Sequence, residues 1–210
     1  MKERKLPPLD NCRVGGTQVQ EEKKAEQKKE LYEWVETMVG AVLLVILMFT
    51  FGLRLIGVDG WSMLPTLQHR DRLLVLNSMW DDEYEPGDIV VLQKSSFMNE
   101  PIVKRVIATG GQTVDIDFAA GEVYVDGVLL DEPYINEPTY TDEGVSFPLT
   151  VPEGSVFVMG DNRNGSTDSR DTRLGTVDSR YVIGKVVFLA FPGPDSVTEK
   201  MEFGRIGVID

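Results

Sequence analysis

"TMVGAVLLVILMFTFGL" (residues 37–53) runs for 17 residues without a charged side chain, and residues 55–58 extend the stretch to 22 with Arg54 as its one interruption. At about 1.5 Å per residue, a helix over 37–58 would reach roughly 33 Å, enough to cross a hydrocarbon layer of about 30 Å. Arg54 falls near the far end, where a long side chain can reach the headgroups. A cleaved leader would begin with a short basic segment and end in small residues, whereas 36 mostly polar residues precede this run and no A-x-A follows it. A helix buried in a soluble core is rarely apolar on every face. The run therefore predicts a membrane span that divides the chain into 1–36, 37–58 and 59–210.

Residues 1–36 carry eight basic and eight acidic side chains and few apolar ones, so they cannot pack a core. They read as a solvated arm, disordered at first and helical near the lipid through i,i+4 charge pairs in "EEKKAEQKKELYEWVE". Lys23, Lys24, Lys28 and Lys29 lie just before the span, against Arg54, Arg70 and Arg72 after it. This asymmetry places the N-terminus in the cytoplasm and the rest of the chain outside.

Beyond the span, short runs rich in Val, Ile, Phe and Tyr alternate with Gly, Pro, Asp and Asn. "DRLLVLN", "GDIVVLQ", "PIVKRVIATG", "QTVDID", "GEVYVDGVLL", "GSVFVMGDN" and "YVIGKVVFLAF" predict strands, with "EPGD", "TGGQ" and "VDGV" as turns. No long amphipathic pattern intervenes. The expected fold is mainly β, its antiparallel sheets coiled into a barrel-like domain. Cys12 is the only cysteine, so an intrachain disulfide is excluded. Residues 58–210 hold 12 basic and 26 acidic side chains, a net charge of −14 that repels nucleic acid. With one His and one Cys in the chain there is no zinc-site pattern, and no calcium-loop or P-loop spacing occurs, so neither a metal nor another cofactor is expected.

Three segments carry candidate chemistry. Ser62 lies in "VDGWSMLPTL" (58–67), just past the span. His69 would have to fold back to serve it as a base, and in the polar "LQHRDR" it reads as an exposed residue instead. Lys104, in "PIVKRVIA", shares one strand face with Ile102, Val106 and Ala108 by strict alternation. An amine among apolar neighbours loses hydration, its pKa falls, and the neutral form can accept a proton. The competing reading is a lysine whose head snorkels from a strand edge. The polar loop "GDNRNGSTDSR" (160–170), following a hydrophobic strand, reads either as a plain surface loop or as a shell around a buried base.

In this order after an N-terminal span, "SMLPTL" (62–67), "KRVIATGGQTV" (104–114) and "GDNRNGSTDSR" (160–170), with the weaker "GEVYVDGVLLDEPY" (121–134), resemble type I signal peptidases, membrane-bound serine proteases that remove signal peptides from exported proteins. The resemblance implies Ser62 as nucleophile and Lys104 as general base, with no histidine needed. It also implies that Ser166 hydrogen-bonds and orients the lysine, that Asp161, Arg105, Asp168 and Arg170 form supporting ion pairs of unassigned partnership, and that the Ser62 amide donates to the oxyanion. Some relatives add a serine two places before the nucleophile, where this chain has Gly60. Many have Asn before the third-motif serine, where this chain has Gly165, a change expected to loosen the loop. The precursor would add as a strand along 57–61 and 101–104, making Val58, Asp59, Trp61, Ile102 and Val103 substrate-binding residues, with small side chains required at positions −1 and −3. Trp61, Phe97 and Met98 are candidates either for the lipid interface or for the core. The implied partners are secretory precursors and a phospholipid membrane, and the implied location is a bacterial-type plasma membrane. Two other readings predict different features: self-cleaving repressor proteases carry a DNA-binding domain and no span, and a non-catalytic β module would keep Ser62 and Lys104 apart.

Overall fold

A computed structural model describes residues 14–80, 82–195 and 198–209; residues 1–13, with Cys12 and the start of the charged arm, lie outside the described residues. The chain divides into two compact units, 1–48 and 49–210. The first is one helix, α1 (Val14–Leu47). The arm expected to be disordered at first and helical near the lipid is helix from Val14 onward, consistent with a segment rich in the good helix formers Glu, Lys, Gln and Ala. The helix's described apolar side chains are exposed, Leu44 to 66% and Leu47 to 57%. Such an exposed apolar surface suits lipid and not water.

The end of the span differs from the expected helix over 37–58. A wide turn, Met48–Gly52, follows α1, and Leu53–Gly57 is a strand, β1. β1 pairs antiparallel with β2 (Arg72–Asn77) from Leu53↔Leu76 to Gly57↔Arg72. The ladder satisfies backbone groups that a continued helix would satisfy internally, so Arg54 belongs to a sheet. At the junction the Trp80 indole N–H donates to the Phe51 carbonyl at 2.8 Å, occupying an acceptor that the ending helix leaves open.

The second unit is mainly β. Its large antiparallel sheet adds β3 (Ile89–Leu92), β4 (Ile102–Thr109), β9 (Ser155–Met159), β10 (Val177–Asp178), β11 (Val182–Phe191) and β12 (Gly207–Val208). The order is β1-β2-β11-β3-β4-β9-β10, with β12 on β11. A smaller sheet holds β5 (Thr113–Asp117), β6 (Glu122–Val125), β7 (Val128–Leu129) and β8 (Leu149–Thr150) in the order β7-β6-β5-β8. Every strand run expected from the sequence is present; β1, β8, β10 and β12 were not expected. All four residues of β3 are buried, which is why "IVVL" has no polar alternation. One apolar cluster joins Met63 and Leu67 to Leu73, Ile89 and Val103, fixing the serine turn to the large sheet. A second places Phe157 and Ile107 against Val114 and Val123 of the small sheet.

Strict alternation fails once in β4. Its register with β9 shifts between Val106 and Ala108, leaving Ile107 as the extra residue. Ile102 and Val106 therefore belong to one apolar cluster, while Ala108 joins Ile107 and Phe157 in another. Of the neighbours expected on the face of Lys104, Ala108 is thus removed by a bulge, which turns every later side chain over.

Candidate active site

Ser62 sits in a turn held from both sides. Met63 and Leu67 are buried to 1% and 0% exposure. On the other side Asn162 donates twice, its backbone N–H to Ser62 O at 3.0 Å and its side-chain Nδ2 to Trp61 O at 3.1 Å. Lys104 comes from β4, 3% exposed, and its Nζ donates to Ser62 Oγ at 2.6 Å. When the amine is neutral the same contact runs the other way, with Oγ–H donating to Nζ. Burial is the main cause that pulls the Lys104 pKa down to about 8, partly offset by the charges of Asp168, Glu143 and Asp161.

The two unassigned ion pairs resolve as Arg105 with Asp161 and Arg170 with Asp168. Arg105 Nε and Nη2 reach the two Asp161 oxygens at 3.0 and 2.9 Å, and Nη1 donates to Gly87 O at 2.8 Å. Asp161 also accepts from Thr66 Oγ1, so one carboxylate ties β4 to the serine turn. Asp168 accepts from Arg170 Nε at 2.9 Å and Nη2 at 2.9 Å, from Gly160 N at 2.9 Å and from Ser166 Oγ at 2.9 Å. The expected bond from Ser166 to Lys104 is not the one made by its hydroxyl proton, which goes to the carboxylate, the stronger acceptor.

Ser166 is nevertheless at the site. Gly160 lies between the Ser62 carbonyl and the Ser166 side chain, so closely that a Cβ on residue 160 would overlap both. Gly160→Ala should therefore cost about 1–3 kcal/mol of stability and lower cleavage about a hundredfold or more, checked by thermal unfolding and precursor turnover. Unchanged turnover would mean that the Ser62–Ser166 spacing is irrelevant. Gly165 packs closely against Asn162. Its N–H donates to Asn162 O at 3.0 Å, and a side chain there would displace the Asn162 carboxamide that holds Trp61 O.

Several contributors were not singled out in the sequence. Buried Arg163 bonds Gly160 O and Thr139 Oγ1, each at 3.0 Å, and pairs with Glu132. The Tyr134 ring lies 4.1 Å from the Arg105 guanidinium. Asn162, Thr66 and Glu143 complete the set. The signal available in the sequence is "DEPY" (131–134) together with the arginines of residues 160–170, since residue identity does not distinguish a buried arginine from a solvated one.

The expected substrate residues divide. Val58 N donates to Asp71 O at 2.8 Å and Val58 O accepts from Arg70 N at 2.8 Å, so its peptide groups serve the chain's own fold and are not open to an added strand. Asp59 and Trp61 are exposed. Ile102 and Val103 pair with Leu92 and Val91 on one side, while the β9 ladder begins only at Arg105↔Met159. On its β9 side β4 therefore has no strand partner over Ile102–Lys104. Trp61 and Met98 are 48% and 44% exposed, whereas Phe97 packs on a core cluster beneath Arg173. His69 is half-buried and not exposed as expected: its Nδ1 accepts from Gly60 N at 3.3 Å. Among the described residues no group of three or more His, Cys, Asp or Glu side chains gathers as a metal site.

A family model described as signal peptidase, peptidase S26, matches residues 31–191. The chain is 38% identical over 180 residues to signal peptidase I of Bacillus licheniformis, covering 82% of this chain and 95% of the relative. It is 35% identical over 175 residues to signal peptidase I S of Bacillus subtilis, covering 79% and 92%. A crystal structure of a signal peptidase I from Enterococcus faecalis matches 49% of this chain and 96% of its own at 33% identity and a TM-score of 0.41. A match over most of the chain, from the end of the charged arm to the last long strand, means that this protein belongs to the peptidase S26 family, the signal peptidases, and is a serine endopeptidase.

Proposed function

We propose that this enzyme cleaves signal peptides from exported precursors with Ser62 as nucleophile and Lys104 as general base. The observation that carries the assignment is the 2.6 Å contact between Ser62 Oγ and a lysine Nζ whose residue is 3% exposed. Neutral Lys104 takes the Ser62 proton as Oγ attacks the scissile carbonyl, then passes it to the leaving amine. Water activated by the same amine releases the acyl group. The Ser62 N–H stabilises the oxyanion, a donor of this kind contributing about 3 kcal/mol. Gly60 supplies no hydroxyl, and its N–H is engaged by His69. Ser166, donating to Asp168, keeps lone pairs to accept from the lysine and orient it.

The β4 edge at Ile102–Lys104, unpaired on its β9 side, and the Asp59–Trp61 segment are the two edges between which the precursor strand lies, its −1 and −3 side chains small. The apolar part of α1 and the turn after it span the plasma membrane once, with the basic arm in the cytoplasm and the β unit outside.

Activity on a secretory precursor should rise with pH through about 8 and level off above it, because only the neutral amine is a base. Glu143, whose charge favours the ammonium, gives the companion test: Glu143→Gln should move that limb to lower pH. The measurement is kcat/KM against pH for both proteins. A limb that stays in place or moves upward would separate Lys104 from the rate, and absence of cleavage at every pH would reject the function.

A further inference from the structure

His69 is the chain's only histidine and takes no part in the chemistry above. Residues 58–61 lead directly into Ser62, and their inner margin is built against residues 69–71. Val58 uses both its peptide groups there, with Asp71 O and Arg70 N at 2.8 Å each. Two residues on, the chain bends at Gly60, whose backbone again meets this margin. Its N–H goes not to a backbone carbonyl but to the imidazole, donating to His69 Nδ1 at 3.3 Å. The same ring packs on Trp61, centroids 5.2 Å apart. One side chain therefore holds both residues that precede the nucleophile.

Gly60 needs such a tether. Its φ is +110° with open space where a Cβ would be, so conformation and not crowding calls for glycine here. Untethered, this residue has the widest backbone freedom of any and would let the segment swing. The ring itself is no core element: its side chain is 30% exposed and lines an open recess of about 420 Å³ with Arg70 and Glu199.

We infer that His69 is a positioning residue for the reaction: by accepting from Gly60 N–H it fixes residues 59–61 as a preformed edge on which the precursor strand docks beside Ser62. The inference rests on the reading of that segment as a substrate edge. Nδ1 must then be the unprotonated nitrogen, with the proton on Nε2. The Asp59 carboxylate, 3.3 Å from the same Nδ1, can pair with it only if that lone pair is given up.

The test uses the full-length, detergent-solubilised enzyme with a secretory precursor, and measures kcat and KM separately for His69→Ala, His69→Phe and His69→Asn. Alanine and phenylalanine should raise KM about three- to tenfold, the range that one lost hydrogen bond supports, with kcat within about twofold. Asparagine places a carbonyl oxygen near the Nδ1 position and should restore KM to within about twofold. Rescue by phenylalanine but not asparagine would assign the effect to packing on Trp61 and overturn the inference. So would an unchanged KM in His69→Ala, or a collapse of kcat that asparagine does not relieve. These outcomes are separate from the dyad assignment, which fails if the Ser62→Ala or the Lys104→Met protein still cleaves.

Discussion

Ser62→Ala and Lys104→Met should each lower precursor cleavage at least about a thousandfold while leaving the fold intact. Nucleophile and base act as a unit, so losing either costs about as much as losing both, and what survives is the background from binding and the oxyanion donor. The two contact each other at 2.6 Å, and the described hydrogen bonds give Ser62 Oγ no other basic partner. Lys104→Arg should be equally inactive, because a guanidinium does not deprotonate in the relevant range. Lys104→Met carries its own control. The folded state holds the amine at a pKa of about 8 against 10.5 ordinarily, so the unfolded chain binds more protons between those values and wild-type stability rises with pH across that window. Below about 8 the buried ammonium is a cost that methionine lacks, and the variant's Tm at pH 7 should equal or exceed that of the wild type. Turnover within tenfold of wild type in Lys104→Met would overturn the dyad.

Removing the Asp168 carboxylate should be the most damaging change to stability that leaves both reacting groups present. Asp168 and Arg170 are each fully buried, and the carboxylate gathers Gly160 N, Ser166 Oγ and the Nε–Nη2 edge of the guanidinium. Asp168→Ala leaves Arg170 charged and without its counter-ion in the interior, a loss of about 3–5 kcal/mol. For a domain of this size that is a fall in Tm on the order of 10 °C. Cleavage should drop as well, since Gly160 and Ser166 would lose a shared anchor beside the Ser62 carbonyl. Arg173–Asp171 and Arg180–Asp178 supply the contrast: their arginines are 69% and 84% exposed, and breaking either pair should leave Tm unchanged. Equal effects for buried and exposed pairs would show that the third motif is not an electrostatic framework.

Features carried by local pattern were legible in the sequence. The apolar run after residue 36, the seven strand runs and the exclusion of a disulfide follow from composition and from spacing of a few residues, because periodicity of side chains along the chain decides which face can be buried. Lys104 as the candidate base was also within reach, since "PIVKRVIA" sets one amine among apolar neighbours and resembles a segment of a known family.

What only the tertiary structure decided depends on partners distant in the chain. The apolar run leaves helix by Leu53 because β2, some twenty residues on, offers a ladder to Leu53–Gly57, and Gly52 alone does not fix that exit. Ser62 and Lys104 are 42 residues apart, Arg105 and Asp161 56, Thr66 and Asp161 95. A buried arginine and a solvated one have the same letter, so the pairing of Arg105, Arg163 and Arg170, the turn of the Ser166 hydroxyl toward Asp168 and the tether from His69 to Gly60 exist only once folding has excluded water and left each polar group a single place to bond.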